Sequence, residues 1–182
     1  MIFSIVHFVN QFFAGIGGED KADTPVGVLE KPSAVTRALE SQLAEQAQVT
    51  TTIYCGDNYF HEHPEEAKEA VLREVRGRKP QLIVAGPAFN SGRYGLAGVE
   101  ICHAVASDLG IPCVTAMHPD NPAVEAYRKY RNQKIYLLPT AETVAGMNEA
   151  MKSLARFTLR LASGAEIGSA EKEGYLPRGI RR

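Results

Sequence analysis

Gln81-Leu82-Ile83-Val84-Ala85-Gly86-Pro87-Ala88-Phe89-Asn90-Ser91-Gly92-Arg93-Tyr94-Gly95 is the stretch that decides the fold. It opens with a short apolar run, Gln81–Ala85, of the composition expected for a strand buried on both faces in the middle of a parallel sheet. A glycine-rich loop follows. Arg93–Leu109 then carries helical spacing up to Gly110, a residue suited to stop a helix. Pro112–Met117 is the next apolar run. A strand, a helix and a second strand in this sequence form a βαβ unit with a right-handed crossover.

The same alternation extends in both directions. Ile2–Val9 is a β-branched and aromatic run that reads as the first strand. Val35–Gln48 has apolar residues at helical spacing (Val35, Ala38, Leu39, Leu43), with Ser33 placed as a partial N-cap. Val49–Tyr54 reads as the second strand, and Pro64–Val75 as a charged helix with its apolar face at Ala67, Ala70, Val71 and Val75. Asn121–Tyr130 is a short helix with Pro122 near its first turn. Lys134–Leu138 is the fifth strand and Thr143–Leu161 the last helix. The pattern predicts an α/β fold: a doubly wound, five-stranded parallel sheet in three layers, with the flavodoxin-like order 2-1-3-4-5. Residues 1–163 make one α/β substrate-binding domain. Residues 164–182 turn polar and glycine-rich and read as a C-terminal extension that contacts a partner or a linker.

Composition narrows the function. The chain has 182 residues, 45% apolar and 23% charged, enough for one domain with a real core. A formal net charge of −1 gives no electrostatic case for nucleic acid or an anionic membrane. No apolar run approaches the length of a membrane span, and the apolar start lacks the features of a cleaved leader. Three cysteines, Cys55, Cys102 and Cys113, fit neither a disulfide framework nor a zinc pattern. Such a count suits a reducing cytoplasm. No cofactor or metal is expected. His61 and His63 are two apart but lack a third and fourth ligand.

Four loops follow predicted strands and open on one sheet edge, where open α/β sheets bind ligands. In Gly15-Ile16-Gly17-Gly18-Glu19 the glycines Gly15, Gly17 and Gly18 can present backbone N–H groups to an anion or can form a tight turn. The spacing is not the dinucleotide fingerprint. In Cys55-Gly56-Asp57-Asn58-Tyr59-Phe60, Cys55 is either a nucleophile or a small core residue. Asp57 and Asn58 either cap the next element or bond a ligand amine. Arg93 is the arginine of the third loop. It either holds a carboxylate through two parallel hydrogen bonds or pairs with Glu19 or Asp57. Asn90 and Tyr94 stand beside it as neutral hydrogen-bonding groups. His118, in Met117-His118-Pro119-Asp120-Asn121-Pro122, tops a strand where an acid or base could act. Glu19 and Asp57 could attract a cationic nitrogen, and aromatic faces would favour a quaternary one.

These loops also carry a resemblance. Asn10–Glu19 with Lys21-Ala22-Asp23, Cys55–Phe60, Ala85–Asn90, Gly92–Gly95 and Glu173–Arg181 together resemble the B-component selenoproteins of glycine, sarcosine and betaine reductases. The resemblance runs in order along essentially the whole chain. It implies an oxidoreductase subunit, uncertain as an enzyme alone, that holds a small amino-acid-like substrate for reductive C–N cleavage. Family members are longer, and their second half carries a selenocysteine or cysteine followed by a Cys-x-x-Cys element. The present sequence has no Cys-x-x-Cys and resembles the amino-terminal half. The resemblance thus implies a partner subunit bearing the redox thiol or selenol, in a homo- or hetero-oligomer. In this family a tyrosine commonly stands near the position of His118. The alternatives are a non-catalytic binding or scaffold subunit and an autonomous thiol enzyme using Cys55.

Overall fold

The structure, a computed structural model, describes residues 2–131 and 134–179. Its centre is a sheet of β1 (Phe3–Asn10), β2 (Gly27–Val28), β3 (Ala47–Cys55), β4 (Leu82–Ala85), β5 (Cys113–Met117) and β6 (Ile135–Pro139). The order is β2-β3-β1-β4-β5-β6. The five strands foreseen from sequence are β3-β1-β4-β5-β6, all parallel, which is the expected 2-1-3-4-5 order. The addition is β2, antiparallel to β3 through Gly27↔Tyr54 and Val28↔Ile53. Two residues are too few for a period-2 pattern, so this edge left no sequence signal.

The helices are α1 (Ala34–Ser41), α2 (Asp57–Glu62), α3 (Pro64–Arg78), α4 (Gly92–Leu109), α5 (Ala123–Arg128), α6 (Met147–Ala162) and α7 (Ala170–Glu173). Alternate residues of β1 feed opposite faces, as the two-residue period of a strand requires. Val6 and Phe8 join Phe60, Val71, Val75, Val99 and Val105 on one side. Ile5 and Val9 join Leu39, Leu43, Leu154 and Phe157 on the other. The sheet therefore lies between α2–α5 and the pair α1/α6, in three layers. No helix of the described residues is long and apolar enough to cross a membrane.

Several expected boundaries move, each for a local reason. α1 stops at Ser41 instead of Gln48, because Ala44 and Glu45 take left-handed backbone (φ 51° and 63°) and reverse the chain into β3. Leu43 is fully buried beyond the helix end, which extended the apparent periodicity. On α3 the buried face uses Leu72 where Ala70 was expected. The expected start of the last helix is a 3₁₀ turn, Val144–Gly146, capped by Thr143, and α6 proper follows. The loop read after β3 is the short helix α2, with Asp57 in its first turn, too brief to show an apolar repeat.

The segment after Ser163 returns over its own domain. Tyr175 is buried against Tyr136 and Phe157. The Leu176 N–H donates to the Leu137 carbonyl (2.8 Å) and the Tyr127 hydroxyl to the Leu176 carbonyl (2.7 Å). The Arg178 guanidinium lies 4.8 Å from the centre of the Tyr136 ring. The end of the family-like motif and of the basic tail, residues 180–182, lies outside the described residues.

Candidate functional site

β1 ends in Asn10, and its side chain organises what comes next. The Asn10 Oδ1 accepts the Phe13 N–H (2.9 Å), and its Nδ2 donates to Asp57 Oδ2 (3.1 Å). Gln11, buried beside it, accepts the Asp57 N–H on its Oε1 (3.0 Å). The first loop is thereby tied to the start of α2. Gly56 makes this junction possible. Its N–H donates to the Thr24 carbonyl, and the Ala22 carbonyl, which accepts from Asn58 and Tyr59, passes so close that a Cβ at position 56 would collide with it.

The third loop leaves β4 through a cis Gly86–Pro87 bond and places Phe89 in left-handed backbone (φ 53°). Buried Asn121 locks it there. Its Nδ2 donates to the carbonyls of Phe89 (3.0 Å) and Ser91 (3.1 Å), and its Oδ1 accepts the Ala123 N–H that begins α5. His7, in the middle of β1, supports the same loop from beneath. Its Nε2 lies 2.7 Å from the Gly86 carbonyl, which can only accept, so Nε2 carries the proton. Nδ1 then accepts from the Thr36 hydroxyl (2.8 Å). Burial drops the His7 pKa to about 4, against the Gly86 hydrogen bond that raises it.

These loops surround a cleft of about 520 Å³ on the carboxyl edge of β1 and β4. Of the residues singled out in the sequence, it gathers Gly18, Glu19, Asp57, Asn90 and Tyr94. Asn10, Gln11, Phe12, Phe13, Phe89, Ser91 and the Glu142–Val144 segment complete the wall. Asn10 and Gln11 had a readable signal, since they end the strand beside the switch point. Glu142–Val144 belongs to the loop after β6, which opens on the same edge. Asn90 Nδ2 reaches Glu142 Oε1 at 3.4 Å across the rim.

Polar groups at the floor are incompletely partnered. Among the described residues Asp57 Oδ1 and the Tyr94 hydroxyl are buried without a well-formed hydrogen bond, although the Asn10 backbone lies near enough to the Tyr94 oxygen to lower its pKa. Burial raises the Asp57 pKa above the ordinary carboxylate value, and Glu19 adds to the shift. Hydrogen bonds from Asn10 and Gln11 and the charge of Arg93 oppose it. Tyr94, 1% exposed, is raised by burial and by the neighbouring Asp57 charge.

Other expected residues do not line the cleft. Arg93 is exposed and donates to Asn58 Oδ1. It makes no ion pair with Glu19 or Asp57 among the described residues. Gly15 and Gly17 direct their N–H groups inward, to the Phe12 (3.0 Å) and Gln11 (3.3 Å) carbonyls. The first loop is thus a set of tight turns, and Gly15 (φ 80°) allows one of them. His118 accepts the Asp120 N–H on Nδ1 (3.1 Å), and its backbone N–H serves the Phe89 carbonyl. His63 pairs with Glu66 at 3.0 Å. Cys55 is 2% exposed, and burial, with the Asp57 charge, pushes its thiol up to about 12. That environment holds a thiol protonated, the opposite of what a nucleophile needs. Cys102 and Cys113 are buried and unpaired as well.

Comparison with known proteins places the chain as a whole. A family model described as glycine/sarcosine/betaine reductase selenoprotein B matches residues 2–182. The chain is 48% identical over 177 residues to glycine reductase complex component B subunit gamma of Peptoclostridium litorale, covering 97% of this chain and 40% of that one. It is 41% identical to sarcosine reductase complex component B subunit beta of Peptoclostridium acidaminophilum, with 97% and 40% covered. It is 36% identical to betaine reductase complex component B subunit beta of the same organism, with 96% and 39% covered. The chain thus spans about 40% of the length of these relatives.

Proposed function

Since the chain belongs to the glycine/sarcosine/betaine reductase selenoprotein B family, we propose that it is the substrate-holding part of a component B. In this reading it binds a small amino-acid-like molecule in the cleft at the carboxyl edge of β1 and β4. The remainder of component B, on the same or a separate polypeptide, supplies the thiolate or selenolate. That nucleophile attacks the carbon bearing the ammonium group, a sulfur–carbon or selenium–carbon bond forms, and the C–N electron pair leaves with the neutral amine. Charge and protons balance without a further reactant.

One observation carries this reading: a cleft with acidic and amide side chains set among aromatic ones lies at the switch point of the sheet, while all three cysteines are buried and none lines it. Asp57, Glu19, Asn90 and Tyr94 contact the substrate. Arg93 and Asn58 stand next to Asp57 and face the incoming part of the complex. Gly15, Gly17 and His118 act through the backbone, shaping the loops. Residues 164–179 offer the outer surface of their packed strap to the remainder of the assembly, and residues 180–182 of the extension lie outside the described residues. The three unpaired thiols persist in a cytoplasm.

The test is reconstitution of component B from this chain and the remainder, with amine release as the assay. Cys55→Ser retains turnover, and Asp57→Asn lowers kcat/KM by about tenfold or more. Turnover that survives Asp57→Asn and Glu19→Gln together reduces the chain to a scaffold. Turnover by this chain alone, lost in Cys55→Ser, makes it a thiol enzyme instead.

A further inference from the structure

A second cavity, of about 380 Å³, lies between α6 and α7 beside the carboxyl end of β6. It shares no lining residue with the cleft. One wall is a stripe of α6: Ser153, Arg156, Phe157 and Arg160. Spacings of three, four and seven residues bring these side chains onto one helical face. The facing wall is the end of α7, with Lys172 and Glu173 and then Gly174. Leu138 and Pro139 of β6 complete the lining.

A clamp fixes the two walls against each other. Arg160 Nη2 donates to Glu173 Oε2 (2.7 Å) and to the Glu166 carbonyl (3.1 Å). The same Glu173 oxygen accepts the Gly168 N–H (2.7 Å). The Tyr175 hydroxyl donates to the Gly168 carbonyl (2.8 Å), and its ring packs edge-on against Phe157. The clamp engages the one carboxylate of the lining and one of its three cations. Arg156 and Lys172 are left over. Both are exposed, and neither side chain makes a hydrogen bond or ion pair among the described residues; nor does the Ser153 hydroxyl. Three cations against one carboxylate give the lining a net charge of +2. Like charges on facing walls of one cavity repel, and an anion between them removes that cost.

We propose that this cavity binds a small organic dianion, its charge carried by a phosphoryl group or by two carboxylates, with Arg156 and Lys172 as the counter-charges and Ser153 as a neutral donor. A guanidinium presents paired N–H groups that match the oxygens of either anion, and a lysine adds a mobile point charge. Leu138, Pro139 and Phe157 offer an apolar edge to the carbon body of the ligand. The volume falls within the range of small-molecule sites and is more than a bare inorganic ion fills, so an organic body is part of the assignment. The inference goes beyond the reading of the cleft and shares no residue with it, so either can fail without the other.

The experiment is an NMR titration of the 182-residue chain with glycerol 2-phosphate and with succinate at constant ionic strength, acetate and glycerol serving as controls. A dianion shifts the amide signals of Ser153, Arg156, Lys172 and Gly174 to saturation, while those of Asn10 and Asp57 in the cleft stay in place. Acetate and glycerol do not saturate them. A response to glycerol 2-phosphate alone assigns a phosphoryl ligand, a response to succinate alone assigns paired carboxylates, and a response to both assigns the shared charge. Arg156→Gln and Lys172→Gln each weaken the binding by about threefold or more, and the double variant by about tenfold or more. Both side chains are exposed and outside the clamp, so the remaining spectrum of each variant matches the parent. No saturable response to either dianion, an equal response to acetate, a response confined to the cleft, or unchanged affinity in the double variant overturns the proposal.

Discussion

At the scale of single residues, two buried groups set opposite dependences on pH and sequence. His7 has a folded pKa of about 4 against 6.5 for the free side chain. The unfolded chain therefore binds the extra proton first, so its stabilisation is complete above about pH 6.5 and declines as pH falls toward 4, by about 3 kcal/mol in total. Urea unfolding at stepped pH would show this slope, and His7→Gln would flatten it between pH 6.5 and 5. Asp57 works the other way, since burial raises its pKa and Oδ1 lacks a partner. Asp57→Asn removes a poorly satisfied charge and raises the thermal midpoint by about 2–4 °C while function falls; a lowered midpoint in calorimetry would count against a floor built for a ligand. Asp57, Glu19, Asn90 and Tyr94 were legible because they sit in the loops after strands or in the first turn of the helix that such a loop opens. The burial of Cys55 and the outward turn of Arg93 were not, because both depend on contacts made across the sheet edge. A cysteine closing a strand and an arginine opening a helix look alike in sequence whether they face the cleft or not.

At the scale of elements, the parallel core was legible from runs such as Leu82–Ala85 and Cys113–Met117, whose four and five residues are all buried. The pieces without a usable period were not: β2, α2 and α7 have two, six and four residues. Their positions are set by long-range bonds, such as those from Gly56, Asn58 and Tyr59 to residues 22–24. The junction of β3 and α2 is consequently fragile. Gly56→Ala drives a Cβ into the Ala22 carbonyl and is expected to cost about 2–4 kcal/mol, measured by chemical denaturation. Asn121→Ala leaves the Phe89 and Ser91 carbonyls short of a donor. It should cost about 1–3 kcal/mol and broaden the NMR signals of residues 87–92, where an unchanged loop would show that Phe89 holds its left-handed backbone unaided.

At the scale of the whole molecule, the cleft at the carboxyl edge of β1 and β4 opens on a face that also exposes apolar side chains. Phe12 and Val144, both more than half exposed, stand at the mouth of the cleft, as a surface that meets another polypeptide would have them. The three thiols give a direct check on the division of labour. In native protein none should react with Ellman's reagent on the timescale of denatured controls, and a fast-reacting Cys55 would reopen the reading of the chain as its own nucleophile. The hydrogen bond from Leu176 to Leu137 and the contact of Arg178 with the Ile135 carbonyl lie along the outer side of β6, while β2 occupies the flank of β3. Bare strand flanks are templates on which further chains can add. With the β6 flank covered, two copies of this protein cannot merge their sheets through that edge, so fibre-like growth from it is blocked at its first step. Shortening the chain to residue 173 would unblock it, and the truncated protein should precipitate on concentration where the intact one stays dispersed.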